Sequence, residues 1–197
     1  MPTATVSDQL NRSQTMTARI KSVVPGRRFC GQARTVQTMV GDGAIIHVAA
    51  SYADAGQVLV IDAGGVEDTA VWGGILAMEA IKRGIAAVVI DGAVRDLEDI
   101  SNLGLPVFAR AVVPRGPHKG FGGTMDGLIA AGGVAVRPGD LVLGDEDGVA
   151  VVPLELVDST LAATKAHLER EKQWIAAMNR GELTVKILGI PDPEMIP

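Results

Sequence analysis

Aromatic residues are scarce in this 197-residue chain, which has three Phe, two Trp and one Tyr, 3% of the total. Stacking on bases or sugar rings is therefore a poor basis for any activity. A single cysteine, Cys30, excludes an internal disulfide framework. The three histidines, His47, His118 and His167, have no metal-ligand spacing, and no HExxH is present. Also missing are a Walker loop, a GxGxxG after a strand and a serine in a nucleophile elbow. Nucleotide cofactors and methyl transfer from a bound nucleoside thus lack support. No lysine ends a clear strand, where a Schiff-base lysine often sits, and this favours a metal-dependent route over an imine. No apolar run approaches the roughly 18 residues that span a bilayer, and the first residues lack a basic-then-apolar leader. With a net charge of −5 and no dense Lys/Arg cluster, a nucleic-acid footprint is absent too. The expectation is a cytoplasmic protein with neither nucleic acid nor membrane as partner.

What is present is an apolar chain, 47% hydrophobic, of a length that suits one domain. Its core must be built of Val, Ala, Ile and Leu. A short helix is predicted from Thr5 to Leu10, with Thr5 or Ser7 as cap. A strand follows over Phe29–Val40, with Cys30 as a small core residue, then a helix over Ala44–Ala53 in which His47 packs. Gln57–Asp62 and Ala86–Asp91 are β-branched apolar runs that read as buried strands. Between them, Ile75–Arg83 suits a helix stopped by Gly84. Strand, helix and strand at this spacing make a βαβ unit with parallel strands. The helix is then expected to start at the carboxyl end of the first strand. Leu97–Asn102 reads as a helical turn, Pro106–Ala109 as a strand and Pro114–Gly123 as loop. Short strands follow near Leu128, at Gly133–Val136 and within Leu141–Val152. A long helix runs from Leu154 to Asn179 and carries one apolar stripe, Leu154, Leu161, Leu168 and Ile175. His167 on it is expected to be solvated, and the Pro-rich tail from Pro191 to Pro197 to be extended and loosely held.

Gly73-Gly74 and Arg95-Asp96 therefore meet at one rim, where open α/β sheets usually bind ligands. Glycines before a helix let a ligand approach N–H groups that have no internal partner; equally, they permit tight helix–strand packing. Arg95 suits a two-point clamp on a carboxylate, with a surface ion pair to Asp96 as the alternative. Asp96 suits a hard divalent cation, since one protein carboxylate plus waters is a common Mg²⁺ arrangement. Asp99, one turn on, is a candidate to order a water on such a cation; otherwise it is a solvated helix residue.

Gly74, twenty residues, Arg95-Asp96, two residues and Asp99 resemble the motif of a metal-dependent aldolase family. Its members are the 4-hydroxy-4-methyl-2-oxoglutarate / 4-carboxy-4-hydroxy-2-oxoadipate aldolases and the regulator of ribonuclease activity A. Ala4–Asp8, Asp91–Asp96, Pro138–Asp140 and Gly144–Val149 are similar to it as well. The likeness runs from about Ala4 to Gly181, leaving 182–197 as a tail. It implies an α/β fold of the swivelling ββα type, with the βαβ unit, a short N-terminal helix and a long C-terminal helix. It also implies a homotrimer or hexamer. By motif match, the backbone of Gly73, Gly74, Ile75 and Leu76 and the side chain of Arg95 bind the pyruvyl part of a 2-oxo acid. Asp96 holds the divalent cation, Mg²⁺ or Mn²⁺. The implied reaction is cleavage of a 4-hydroxy-2-oxo diacid to pyruvate and a second 2-oxo acid, with oxaloacetate decarboxylation alongside. Arg95 and Asp99 are the catalytic candidates, Asp99 through an ordered water as base. If a neighbouring subunit receives an acidic residue from the C-terminal region, Glu171 is the candidate. A regulator that binds a ribonuclease or helicase, and a lyase or decarboxylase for another 2-oxo acid, are the alternatives.

Overall fold

The apolar runs around Val60 and Val89 lie at the centre of one large sheet, both faces of which are covered. The computed structural model describes residues 1–194. In chain order the elements are α1 (Thr3–Gln9), β1 (Lys21–Ser22), β2 (Phe29–Thr38), α2 (Ala44–Tyr52), β3 (Val58–Asp62), β4 (Ala70–Trp72), α3 (Gly74–Arg83) and β5 (Ala87–Val94). There follow α4 (Leu97–Leu103), β6 (Val107–Val112), β7 (Gly123–Met125), β8 (Ile129–Ala131), β9 (Val134–Val136), β10 (Leu141–Asp145) and β11 (Gly148–Val152). A 3₁₀ turn (Leu154–Leu156) then leads into α5 (Val157–Asn179), and α6 (Thr184–Ile187) comes last.

The sheet order is β1-β6-β5-β3-β2-β10-β11, with β4 added on β5 and β7 on β2; β8 and β9 form a separate ribbon. Strands β2, β3, β5 and β6 run parallel, and Val58 to Asp62 stand opposite Ala87 to Asp91. Leu59, Ile61, Val88 and Ile90 pack with Ile46, Ala77, Ala80 and Ile100 of the helices. Val58, Val60, Ala87 and Val89 pack on the other face with Phe108, Ile129, Val136 and Val151. Burial on both faces is why these strands are uninterrupted apolar runs rather than alternating ones.

Several expectations are corrected. Helix α3 does not start at the end of β3. The chain first turns through Gly64 and Gly65, both with φ of 69°, and forms β4. Because β5 runs on to Val94, its last residues need a partner, and β4 pairs with Ala93 and Val94. Strand β7 begins at Gly123, where the sequence reads as loop, and neither Thr5 nor Ser7 caps α1, whose N-cap is Pro2. Thr3 instead donates its N–H and hydroxyl to the Asp145 carboxylate, at 2.9 and 2.5 Å. Cys30 lies on β2 as expected but is exposed. His167 is not solvated: it contacts Glu171 at 3.1 Å and packs edge-on against Trp174. Glu171 is thereby engaged within its own helix. The stripe on α5 is not core of this chain. Leu154 precedes the helix, and Leu161 and Ile175 are exposed, whereas Thr160, Thr164 and Ala177 are buried. In the tail, Thr184–Ile187 is helical and 191–194 have no regular structure; the remaining tail residues lie outside the described ones.

Candidate active site

Two helix starts and the end of a strand converge at the predicted rim. Gly73 is extended and caps α3, and Gly74 is its first residue. Asp96 caps α4 with φ 61° and ψ 46°, a left-handed conformation that costs a non-glycine residue about 1 kcal/mol. Asp and Asn tolerate it best, and residues held there cluster at functional sites. The turn is fixed by the backbone: Arg95 N–H donates to the Trp72 carbonyl at 3.0 Å, and Ile100 N–H to the Asp96 carbonyl at 3.1 Å.

Asp96 Oδ2 accepts a hydrogen bond from Gly74 N–H at 3.0 Å, and Arg95 Nε stands 3.6 Å from the same oxygen. One of the helix-start donors expected to meet a substrate therefore meets Asp96. The N–H groups of Ile75 and Leu76 have no acceptor among the described residues. With the α4 start and Arg95, they keep the rim favourable to an anion. The side chains of Arg95 and Asp96 are 42% and 40% exposed.

The glycine pair is explained by the carboxylates. A Cβ on Gly73 would lie 2.5 Å from Asp96 Oδ2, and one on Gly74 2.8 Å from Asp99 Oδ2. Asp99 thus stands against the Cα of Gly74, while the cavity at the rim is lined by Trp72, Gly73, Ile75, Leu76, Arg95 and Asp96. Asp99 is also in the first turn of α4, where a negative charge is favoured. Gly116 plays the same part for the guanidinium, since a Cβ there would lie 2.5 Å from Arg95 Nη1.

Residues outside the motif complete the cavity, which has a volume of about 50 Å³: His47 from α2, and Pro117 and Lys119 from the loop before β7. His47 reads in sequence as a helix-packing residue, and nothing local marks it otherwise; here it is half-buried and faces the site. Burial, and then the charge of Lys119, push its pKa below the ordinary histidine value. His118 turns away and packs edge-on against Phe121.

The loop is held by Asp42, a buried carboxylate. It accepts hydrogen bonds from the N–H groups of Ala44, Gly120 and Phe121 at 2.8–3.0 Å. The Phe121 N–H does most to hold the Asp42 carboxyl below the usual carboxylate range; burial opposes this, and the Ala44, Gly120 and Gly122 N–H groups reinforce it. Trp72 is buried, and its indole Nε1 finds no acceptor among the described residues.

The fold and this rim define a protein of the Aldolase/RraA class: the RraA-like family profile matches residues 3–151, and the chain belongs to that family. Among curated relatives, it is 36% identical over 151 residues to the 4-hydroxy-4-methyl-2-oxoglutarate aldolase of Thermus thermophilus, covering 77% of this chain and 92% of that protein. Among solved structures, it resembles the RNA-processing inhibitor RraA of Thermus thermophilis, with a TM-score of 0.72 and 35% identity over 78% of this chain and 93% of that one. It also resembles RraAS2 of Streptomyces coelicolor, an unusual member of the RNase ES inhibitor RraA family. There the TM-score is 0.76 at 27% identity, over 91% and 93% of the two chains. No helix among the described residues is long and apolar enough to cross a membrane.

Proposed function

We propose that this protein is a divalent-metal-dependent lyase that cleaves 4-hydroxy-2-oxo diacids to pyruvate and a second 2-oxo acid. Candidate substrates are of the 4-hydroxy-4-methyl-2-oxoglutarate or 4-carboxy-4-hydroxy-2-oxoadipate type, and oxaloacetate decarboxylation is a side activity. The observation that carries the reading is the meeting of Arg95, Asp96 and the free Ile75 and Leu76 N–H groups at one small cavity. The name of the Thermus relative supports it.

Asp96 fits a divalent cation. One of its oxygens is fixed by Gly74 N–H, its side chain is part-exposed at the rim, and Mg²⁺ is commonly held by one or two protein carboxylates plus water. Among the described residues no group of three or more His, Cys, Asp or Glu is placed to hold a metal, so water and substrate would complete the coordination. Bound there, Mg²⁺ or Mn²⁺ supplies a Lewis acid for the 2-oxo oxygen.

The chain's own residues do the rest. The Ile75 and Leu76 N–H groups and Arg95 bind and orient the substrate carboxylate, and the planar guanidinium fixes its plane. Arg95 also faces the charge that develops as the carbon–carbon bond breaks. Asp99, held against Gly74 and off the cavity wall, supports the start of α3 rather than ordering the water expected of it. The exposed apolar residues Ile75, Met78 and Ile81 of α3 support a homotrimer or hexamer in which this face is covered.

The test is a panel of 2-oxo acids with pyruvate detection, with and without EDTA and with Mg²⁺ or Mn²⁺ restored. Metal-dependent pyruvate release from a 4-hydroxy-2-oxo diacid is expected; no pyruvate from any member overturns the reading. The likeness to RNA-processing inhibitors favours a second reading, regulation of a ribonuclease. Ribonuclease binding by protein that is inactive on the whole panel would select it.

A further inference from the structure

Cleavage of a 4-hydroxy-2-oxo acid needs a group that takes the hydroxyl proton, and neither Arg95 nor Asp96 is suited to it. Arg95 is always protonated, and Asp96 is committed to Gly74 N–H and the cation. Asp99 stands behind Gly74 rather than on the cavity wall. The cavity wall holds one further proton acceptor, His47.

We infer that His47 takes the proton from the substrate's 4-hydroxyl and returns it to the pyruvate carbon. This rests on the lyase reading above. As the O–H proton passes to the imidazole, the oxygen's electron pair forms the carbonyl of the departing 2-oxo acid. The C3–C4 bond breaks, and its pair forms the enolate of pyruvate. The imidazolium then gives the proton to C3. Protons and electrons balance, with no co-reactant.

The surroundings of His47 suit the role. His47 lines the same cavity as Arg95 and Asp96, the residues proposed to hold the substrate carboxylate and the cation. The ring makes no hydrogen bond to a described residue, so its acceptor nitrogen is free. His47 lies near the start of α2, whose positive end favours a neutral imidazole. Burial and Lys119 act in the same direction.

The other charged groups around it are accounted for. Arg95 and Asp96 share the cavity, and Asp42 is turned into the loop backbone. On α3, Glu79 and Arg83 pair with each other at 3.1 Å and Lys82 is exposed; on β3, Asp62 accepts hydrogen bonds from Gln37 Nε2 and Gly64 N–H. From β2, Arg34 is directed to the Tyr52 carbonyl and Asp126, and β7 carries no titratable side chain. Lys119 is thus a positioning residue: its charge keeps His47 able to accept a proton.

Two substrates and two variants test this. Oxaloacetate decarboxylation has no hydroxyl proton to remove, and its enolate can take a proton from water. His47→Gln should therefore lower kcat for a 4-hydroxy-2-oxo diacid about 10²-fold or more, a usual general-base contribution, and lower decarboxylation only a few-fold. In wild-type protein the acid limb of kcat/KM for the diacid should lie below the ordinary histidine value, and Lys119→Met should move it to higher pH. Equal loss on both substrates, no loss on either, or an acid limb that does not move with Lys119→Met overturns the assignment of His47 alone. Wild-type protein that turns over neither substrate overturns the lyase reading, and this one with it.

Discussion

The carboxylate of Asp96 is tied to the N–H of Gly74 at 3.0 Å, across 22 residues of sequence. One hydrogen bond thus joins the strand–helix corner to the start of the neighbouring helix. Asn at position 96 keeps an acceptor for Gly74 and tolerates the left-handed backbone, but gives up the charge. Asp96→Asn should therefore fold normally while its metal-dependent turnover falls, with a raised metal requirement. Titration of activity against Mg²⁺ and Mn²⁺, beside a melting curve, checks this; wild-type activity at limiting metal contradicts it.

Arg95→Lys should be far more damaging than its conservative look. Lysine keeps the charge but loses the planar two-point contact. A loss of about 10²–10³ in rate is expected, the usual cost of one preorganised donor. It should appear in kcat as well as kcat/KM; raised KM with unchanged kcat would make Arg95 a binding residue only.

Gly116→Ala tests the same guanidinium from behind. The new methyl would meet Arg95 Nη1, the far end of a flexible side chain, so the guanidinium should move and the fold should not. Steady-state kinetics should show lower kcat with little change in melting temperature. A large loss of stability would mean that the loop, not Arg95, gave way.

Asp145 should make stability pH-dependent. Burial raises its pKa, but hydrogen bonds from the Thr3 hydroxyl, Thr3 N–H and Asp147 N–H outweigh this, aided by Arg28, and the net shift is downward. A depressed carboxyl stabilises the fold above its unfolded pKa of about 3.9, and that contribution is lost as pH falls through the folded value. Asp145→Asn should cost about 1.5–3 kcal/mol at pH 7, the range for hydrogen bonds to a charged group. The gap to wild type should narrow below pH 4. A gap in melting temperature that is constant from pH 7 to pH 3 would refute the linkage.

Asp42→Ala should free the loop that carries Lys119. Limited trypsin digestion should then cut at Arg115 or Lys119 much faster than in wild type, with the rest of the chain intact. Equal cleavage rates would mean that the Asp42 hydrogen bonds do not hold the loop.

The sheet centre was legible in the sequence because strands buried on both faces leave an unbroken β-branched run, as at Val58–Ile61 and Val88–Ile90. The Gly73-Gly74 and Arg95-Asp96 corners were legible because helix stops and strand ends place them at one rim. Strand β4 was not, since Ala70-Val71-Trp72 is too short to show any period, and only the length of β5 calls for it. His47 was missed for a different reason. A lone histidine on a helix looks the same whether it packs or lines a cavity, and its partner Lys119 is brought near by Asp42 through backbone contacts that leave no residue pattern. The apolar repeat on α5 was visible, but a repeat does not say whether the covering surface belongs to the same chain.

The left-handed backbone at Asp96 has a consequence for how this position tolerates change. Two filters act there independently: the turn admits Asp, Asn and Gly at little cost, whereas the proposed chemistry admits only a carboxylate. Glu keeps the charge but fits the turn poorly; Gly fits the turn but has no charge. In a library of all substitutions at position 96, abundance in the cell and catalytic output should therefore rank the residues differently, with Asp alone high on both scales.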